Sequence, residues 1–160
     1  MIFGFLKSPA LSPRLRRLHA SALFASLTPL ELRTVDSLLH ERNYLGDEII
    51  FDEGEEGQAL YMVMSGRVLI SRQHEGAAET LAELTPGAFF GDLALLDDSP
   101  RSAQARACGD CALAVFFRAD FVALMNNDGV IGYKISLALA RHLAQRLRDW
   151  MSGKLPVEAL

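Results

Sequence analysis

No apolar run in this 160-residue chain approaches the roughly 20 residues that a membrane-spanning helix needs. The one early stretch, Ile2 to Leu6 before Lys7, is too short for the core of a secretory signal. A cytoplasmic protein without a membrane span is expected. The alternative is a peripheral anchor built from Ile2, Phe3, Phe5 and Leu6, with Arg14, Arg16 and Arg17 behind them. An excess of basic residues is also missing. The formal net charge is −4 and the pI is near 5.5, so there is no electrostatic footprint for wrapping a polyanion, and direct nucleic-acid binding is not expected. Cysteine is limited to Cys108 and Cys111. Their C-x-x-C spacing would suit redox chemistry at a strand-to-helix junction, but here Gly109-Asp110 separates two strand-like runs, so a tight hairpin with flanking cysteines is predicted. The four histidines, His19, His40, His74 and His142, are scattered, and only His74 lies near a strand. A metal-dependent enzyme built on a β-barrel lacks its ligands, and no metal is expected.

What is present is the ordinary make-up of one globular domain, with 50% hydrophobic and 22% charged residues and no low-complexity tract. A chain of this length buries about 70% of its unfolded surface around a single core. The acidic block Asp47, Glu48, Asp52, Glu53, Glu55, Glu56 reads as a solvated face. TPLELRTVDSLL carries a full set of helix-start signals. Thr28 is the N-cap, Pro29 the first helical residue and Glu31 the capping-box partner, with Leu32, Val35, Leu38 and Leu39 at helical spacing. After Arg42 the pattern turns to short strand-like runs, NYL, EIIF, ALYMVMS, GRVLISR, ETLAEL, AQARA and CALAVFF, punctuated by glycine. Their spacing suits an antiparallel sandwich or barrel. In GRVLISR, Val68 and Ile70 are expected to face inward. Gly54, Gly57 and Gly66 are read as turn residues. The chain closes with a long helix from about Gly129 to Met151. There Ile131, Ile135, Leu139, Leu143 and Leu147 form an apolar stripe, and Ala140, Leu143, Leu147 and Trp150 a seam of coiled-coil spacing. That helix can pack on the β core, dimerise, or do both on different faces.

The chemistry is concentrated in FFGDLALLDDSPRSAQARA. Gly91 allows close backbone approach, and the helix-like turn after it offers N–H groups to a phosphate. Arg101 brings a planar, permanently charged fork. Ser102 adds a hydroxyl and Asp92 an acceptor for a sugar hydroxyl. These are the requirements of a sugar phosphate. Two other readings remain: Arg101 as a core arginine paired with Asp97 or Asp98, and Trp150 as a packing anchor.

The order FGD, LALLDDS, PRSA resembles the phosphate-binding cassette of the cyclic-nucleotide-binding domain family. The likeness runs from about Leu23 to Trp150, taking in LFASL, YLGDEIIFDEGEEGQALYMVMSGRV and LARHLAQRL, as in catabolite activator-like sensor domains, kinase regulatory subunits and gated channels. The resemblance implies a mainly β fold with flanking helices: a double-stranded β-helix or jelly-roll β-roll with an N-terminal helix and a long C-terminal helix. It divides the chain into an N-terminal arm (1–20), the binding domain (21–151) and a tail (152–160). It places Gly91, Asp92, Leu93, Ala94, Arg101, Ser102 and Ala103 on the ligand, Ile70 and Leu81 along the base, and Arg146, Leu147 or Trp150 over it from the last helix. Cyclic AMP is expected ahead of cyclic GMP, with no catalytic activity. Two further expectations are a homodimer through the C-terminal helix and a separate, unidentified effector protein, since no helix-turn-helix follows Trp150. Asp92 departs from the family's usual Glu and shortens the reach to the sugar by about 1.5 Å. That departure keeps a second reading open, a degenerate roll that binds no ligand and serves as a dimerisation or docking module.

Overall fold

In a computed structural model, described here for residues 10–154, four helices surround two four-stranded antiparallel sheets. The first sheet has the order β1-β8-β3-β6, from His40–Tyr44, Cys111–Phe117, Ala59–Ser65 and Phe89–Phe90. The second has the order β2-β7-β4-β5, from Ile49–Phe51, Gln104–Ala107, Val68–His74 and Ala77–Leu84. The segment Ile2 to Leu6, read above as a candidate anchor, lies outside the described residues.

The two sheets differ in what covers them, and the difference is legible in the strands. Along β3, Leu60, Met62 and Met64 enter a core shared with the helices, while Tyr61 and Val63 face the space between the sheets. In β8, Phe116 and Ala114 go to the helices, and Leu113 and Cys111 to the interior. Burial on both faces explains why ALYMVMS and CALAVFF are nearly continuous apolar runs. β4 has one covered face, and Val68 and Ile70 both join the interior cluster as expected.

Helix α1 (Pro13–Ala20) buries Leu15 and Leu18 in the helix-side core, so this part of the segment assigned to an N-terminal arm packs with the domain. Helix α2 (Pro29–Asp36) starts as its sequence dictates. Thr28 Oγ1 accepts from the Glu31 N–H, and Glu31 accepts from the Thr28 N–H at 2.8 Å. Helix α3 (Arg118–Asn127) leads into α4 (Gly129–Met151), where Ile131, Ile135 and Leu139 are fully buried. Beyond Leu139 the stripe leaves the core: Leu143 is half-buried and Leu147 is exposed.

The Cys108–Cys111 turn departs from expectation. β7 and β8 belong to different sheets, so Gly109-Asp110 carries the chain across the roll and is not a hairpin. Local sequence marks a turn, but which strands then pair is set by distant partners. Both cysteines are free thiols.

Candidate functional site

The β2–β3 loop clamps the segment that carries the chemistry. The Arg101 N–H donates to the Glu55 carbonyl and the Gly54 N–H to the Arg101 carbonyl, both at 2.8 Å, beside a bridge between Glu56 and Pro100. The chain after β6 turns at Gly91, whose φ of +68° lies in the left-handed region, and makes one short 3-10 turn over Asp92–Leu95. Leu95 is anchored in the helix-side core. This single buried leucine pins the turn against the roll and leaves Asp92 and Ala94, also buried, beside a cavity of about 250 Å³.

All ten residues assigned to a ligand from the sequence border that cavity. Gly91, Asp92, Leu93 and Ala94 contribute from the turn; Arg101, Ser102 and Ala103 from the loop that leads into β7; Ile70 and Leu81 from β4 and β5; and Arg146 from α4. Leu147 and Trp150 do not line it. An α-helix advances about 100° per residue, which turns Leu147 away from the cavity face that Arg146 occupies. One turn back is His142, which does line it and was missed in the sequence.

Arg101 is 92% buried, and its guanidinium faces inward. Nη1 donates to the Gly91 carbonyl at 3.1 Å and Nη2 to the Ala59 carbonyl at 2.8 Å. Its Cζ sits 4.1 Å from the centre of the Phe51 ring. Burial draws its pKa down, while Tyr61 and Glu55 push it back up. It does not take the structural pairing with Asp97 or Asp98: Arg118 holds the Asp98 carboxylate at 2.7 Å. Gly57, read above as a turn residue, is corrected by the structure. It is buried, and a Cβ there would stand 3.2 Å from Arg101 Nε and 3.0 Å from the Ala94 Cβ. No sequence signal separates such a glycine from a turn glycine, because the demand for space comes from residues about 40 positions away.

Asp92 is also more than nine-tenths buried. Its Oδ1 lies 3.5 Å from Arg146 Nη1, and its Oδ2 has no hydrogen-bond partner among the described residues. Arg101 Nε is also buried without a partner among the described residues. The His142 ring packs 4.5 Å from Phe89. Burial pulls its pKa below the usual histidine value, with Asp92 acting upward and Arg146 downward. Among the described residues no group of three or more His, Cys, Asp or Glu side chains is placed to hold a metal, and no helix is long and apolar enough to cross a membrane.

A donor-rich guanidinium and a lone carboxylate across one apolar-walled cavity describe a site for a small anion that also carries a hydroxyl. Comparison with known proteins agrees in kind: residues 41–128 match the cyclic nucleotide-binding domain. The chain belongs to the cyclic nucleotide-binding domain family. The cyclic AMP receptor protein of Thermus thermophilus is 40% identical over 129 residues, which is 80% of this chain and 60% of that protein. Among solved structures, a cyclic nucleotide-binding domain from Methylobacillus flagellatus superposes with a TM-score of 0.78 at 25% identity, covering 92% of this chain and 85% of its own. The regulatory domain of Toxoplasma gondii PKA with cAMP superposes with a TM-score of 0.64 at 34% identity, over 69% of this chain and 42% of its own. The fold is the β-roll of this family, with its helices before and after the sheets. The chain spans about three-fifths of the length of the Thermus relative.

Proposed function

We propose that this domain is a receptor module for a cyclic mononucleotide, cyclic AMP ahead of cyclic GMP, that performs no catalysis and signals through α4 to a separate effector. The observation that carries the reading is that a buried arginine and a buried carboxylate, Arg101 and Asp92, each with one polar atom unpartnered among the described residues, line one cavity. A ligand that offers an acceptor to Arg101 and a hydroxyl donor to Asp92 matches both groups at once. A phosphate oxygen closed onto a sugar hydroxylated at the next carbon does so. The phosphate would lie along Gly91, Leu93 and Ala94 against Arg101, with Ser102 donating and Ala103 leaving room. The sugar hydroxyl would reach Asp92, and the base would lie against Ile70 and Leu81 under Arg146. The preference for cyclic AMP follows the Thermus and Toxoplasma relatives, whose names carry that ligand.

Calorimetric titration of the protein with cyclic AMP, cyclic GMP and 5′-AMP tests this. Saturable binding of a cyclic nucleotide, with the open monophosphate weaker because it brings an extra charge and a freed oxygen, is expected. Equal affinity for open and closed forms would sink the cassette assignment. Absence of binding at millimolar nucleotide by folded protein would promote the dimerisation or docking module that Asp92 in place of Glu keeps in view.

A further inference from the structure

Arg101 sits in a bay of its own within the site. A guanidinium has five N–H donors, and here two of them are spent on the Gly91 and Ala59 carbonyls. Nε is buried without a partner among the described residues, and Tyr61 is a further hydrogen-bonding neighbour of the guanidinium. Instead of a carboxylate, the group has the faces of aromatic rings. Its Cζ is 4.1 Å from the Phe51 centroid and 5.6 Å from that of Tyr61, and Phe51 is itself braced by Tyr61 at 5.6 Å and Phe90 at 5.9 Å. The bay also needs bare backbone. Gly91 has no room for a Cβ, which would fall 2.5 Å from Nη1, and at Gly57 it would fall 3.2 Å from Nε and 3.3 Å from Cζ. The φ of Gly57 lies outside the left-handed region, so space and not turn geometry explains its lack of a side chain.

We propose that Phe51 and Gly57 are positioning residues for Arg101. The ring of Phe51 and the bare backbone of Gly57 seat the guanidinium on its two carbonyls, so that its remaining donors are aligned before any phosphate arrives. The inference rests on the receptor reading above and adds to it the residues that prepare the charge. Burying a cation without a counter-ion is costly, and the ring face with two carbonyl dipoles offsets that cost while leaving the cation available to an anion. Because the donors are fixed in advance, binding loses less to ordering of the side chain, and disturbance of the bay appears as lost affinity.

The test weakens the ring face at nearly constant size. Phe51 is replaced by 4-fluoro- and then 3,4,5-trifluorophenylalanine, and cyclic AMP is titrated into each protein. Affinity should fall stepwise, by about fivefold across the series given the usual strength of a desolvated cation–π contact. Phe51→Leu and Gly57→Ala should each weaken binding by about tenfold, with Phe51→Tyr closer to wild type. Unchanged affinity along the fluorinated series would overturn the proposal, because packing alone does not respond to ring electronics. A second readout needs no ligand. The Nε–H proton of Arg101 should be displaced by the ring current in the NMR spectrum of the free protein and return toward the ordinary arginine position in Phe51→Leu. Should wild type bind no cyclic nucleotide, the receptor reading falls, and this spectrum judges the bay by itself. A signal that Phe51→Leu leaves in place would overturn it.

Discussion

At the scale of single residues, Asp92 is the position where a one-carbon change carries most consequence. Its carboxylate is shared: Oδ1 lies 3.5 Å from Arg146 Nη1, long for a charge-assisted bond, and Oδ2 is left over. A longer side chain would bring one oxygen nearer to Arg146 and extend the other toward the sugar hydroxyl of the proposed ligand. Asp92→Glu is therefore expected to tighten cyclic-nucleotide binding by about tenfold, the lower end of what a charged hydrogen bond contributes, and Asp92→Asn to weaken it. Calorimetry on the two variants checks both directions, and weaker binding by Asp92→Glu would mean that the backbone has already closed on the shorter acid. His142 gives a second residue-scale prediction, about pH. Burial depresses its pKa in the folded protein below the unfolded value near 6.5. The unfolded chain thus binds more protons than the native one in the window below that value, and native stability falls as the pH drops through it. The melting temperature should decline between roughly pH 6.5 and 5 in wild type and decline less in His142→Gln, measured side by side so that the other histidines cancel. An identical slope in both proteins would refute the assignment to His142.

At the scale of elements, the helix starts were readable because capping is local chemistry. Thr28, Pro29 and Glu31 lie within four residues, and the capping box they imply is present with both bonds formed. Thr28→Ala should cost about 0.5–2 kcal/mol of stability. A lower melting temperature with unchanged nucleotide affinity is expected, because α2 contributes no residue to the cavity. A loss of affinity as large as the loss of stability would show that the helix start is coupled to the site. Sheet partners were less readable. The runs CALAVFF and AQARA were recognisable as strands, but their assignment to opposite sheets depends on β3 and β4, roughly 50 and 35 residues earlier. Nothing within the Cys108–Cys111 turn encodes that choice. β6, only Phe89–Phe90, is too short for any period to register, yet it pairs with β3 and delivers the chain to Gly91.

At the scale of the whole molecule, α4 has two tasks that its sequence superimposes. Its first half closes the helix-side core through Ile131, Ile135 and Leu139. Beyond Leu139 the helix turns Arg146 to the cavity and leaves Leu147 45% exposed and Met151 74% exposed. An apolar seam on a helix end that the core has released is suited to a second copy of the same helix. We propose a homodimer along Ala140, Leu143, Leu147 and Trp150, which analytical ultracentrifugation should show as a concentration-dependent dimer in wild type and a monomer in Leu147→Glu. A wild-type monomer at high concentration would rule the seam out. Sequence alone determined what depends on neighbours along the chain: the capped helix, the alternation that turns Val68 and Ile70 inward, and the ordered run from Gly91 through Arg101 that marks the family. Tertiary structure alone decided what depends on distance through space. It showed that Arg101 rests on Phe51 beside Gly57, that Arg101 is not paired with Asp97 or Asp98, and that of the last helix's candidates Arg146, with His142 one turn before it, lines the cavity. The physical reason is that caps and periodicities are set within a few residues, whereas a buried cation's partners are whichever groups the closed roll brings within a few ångströms of it.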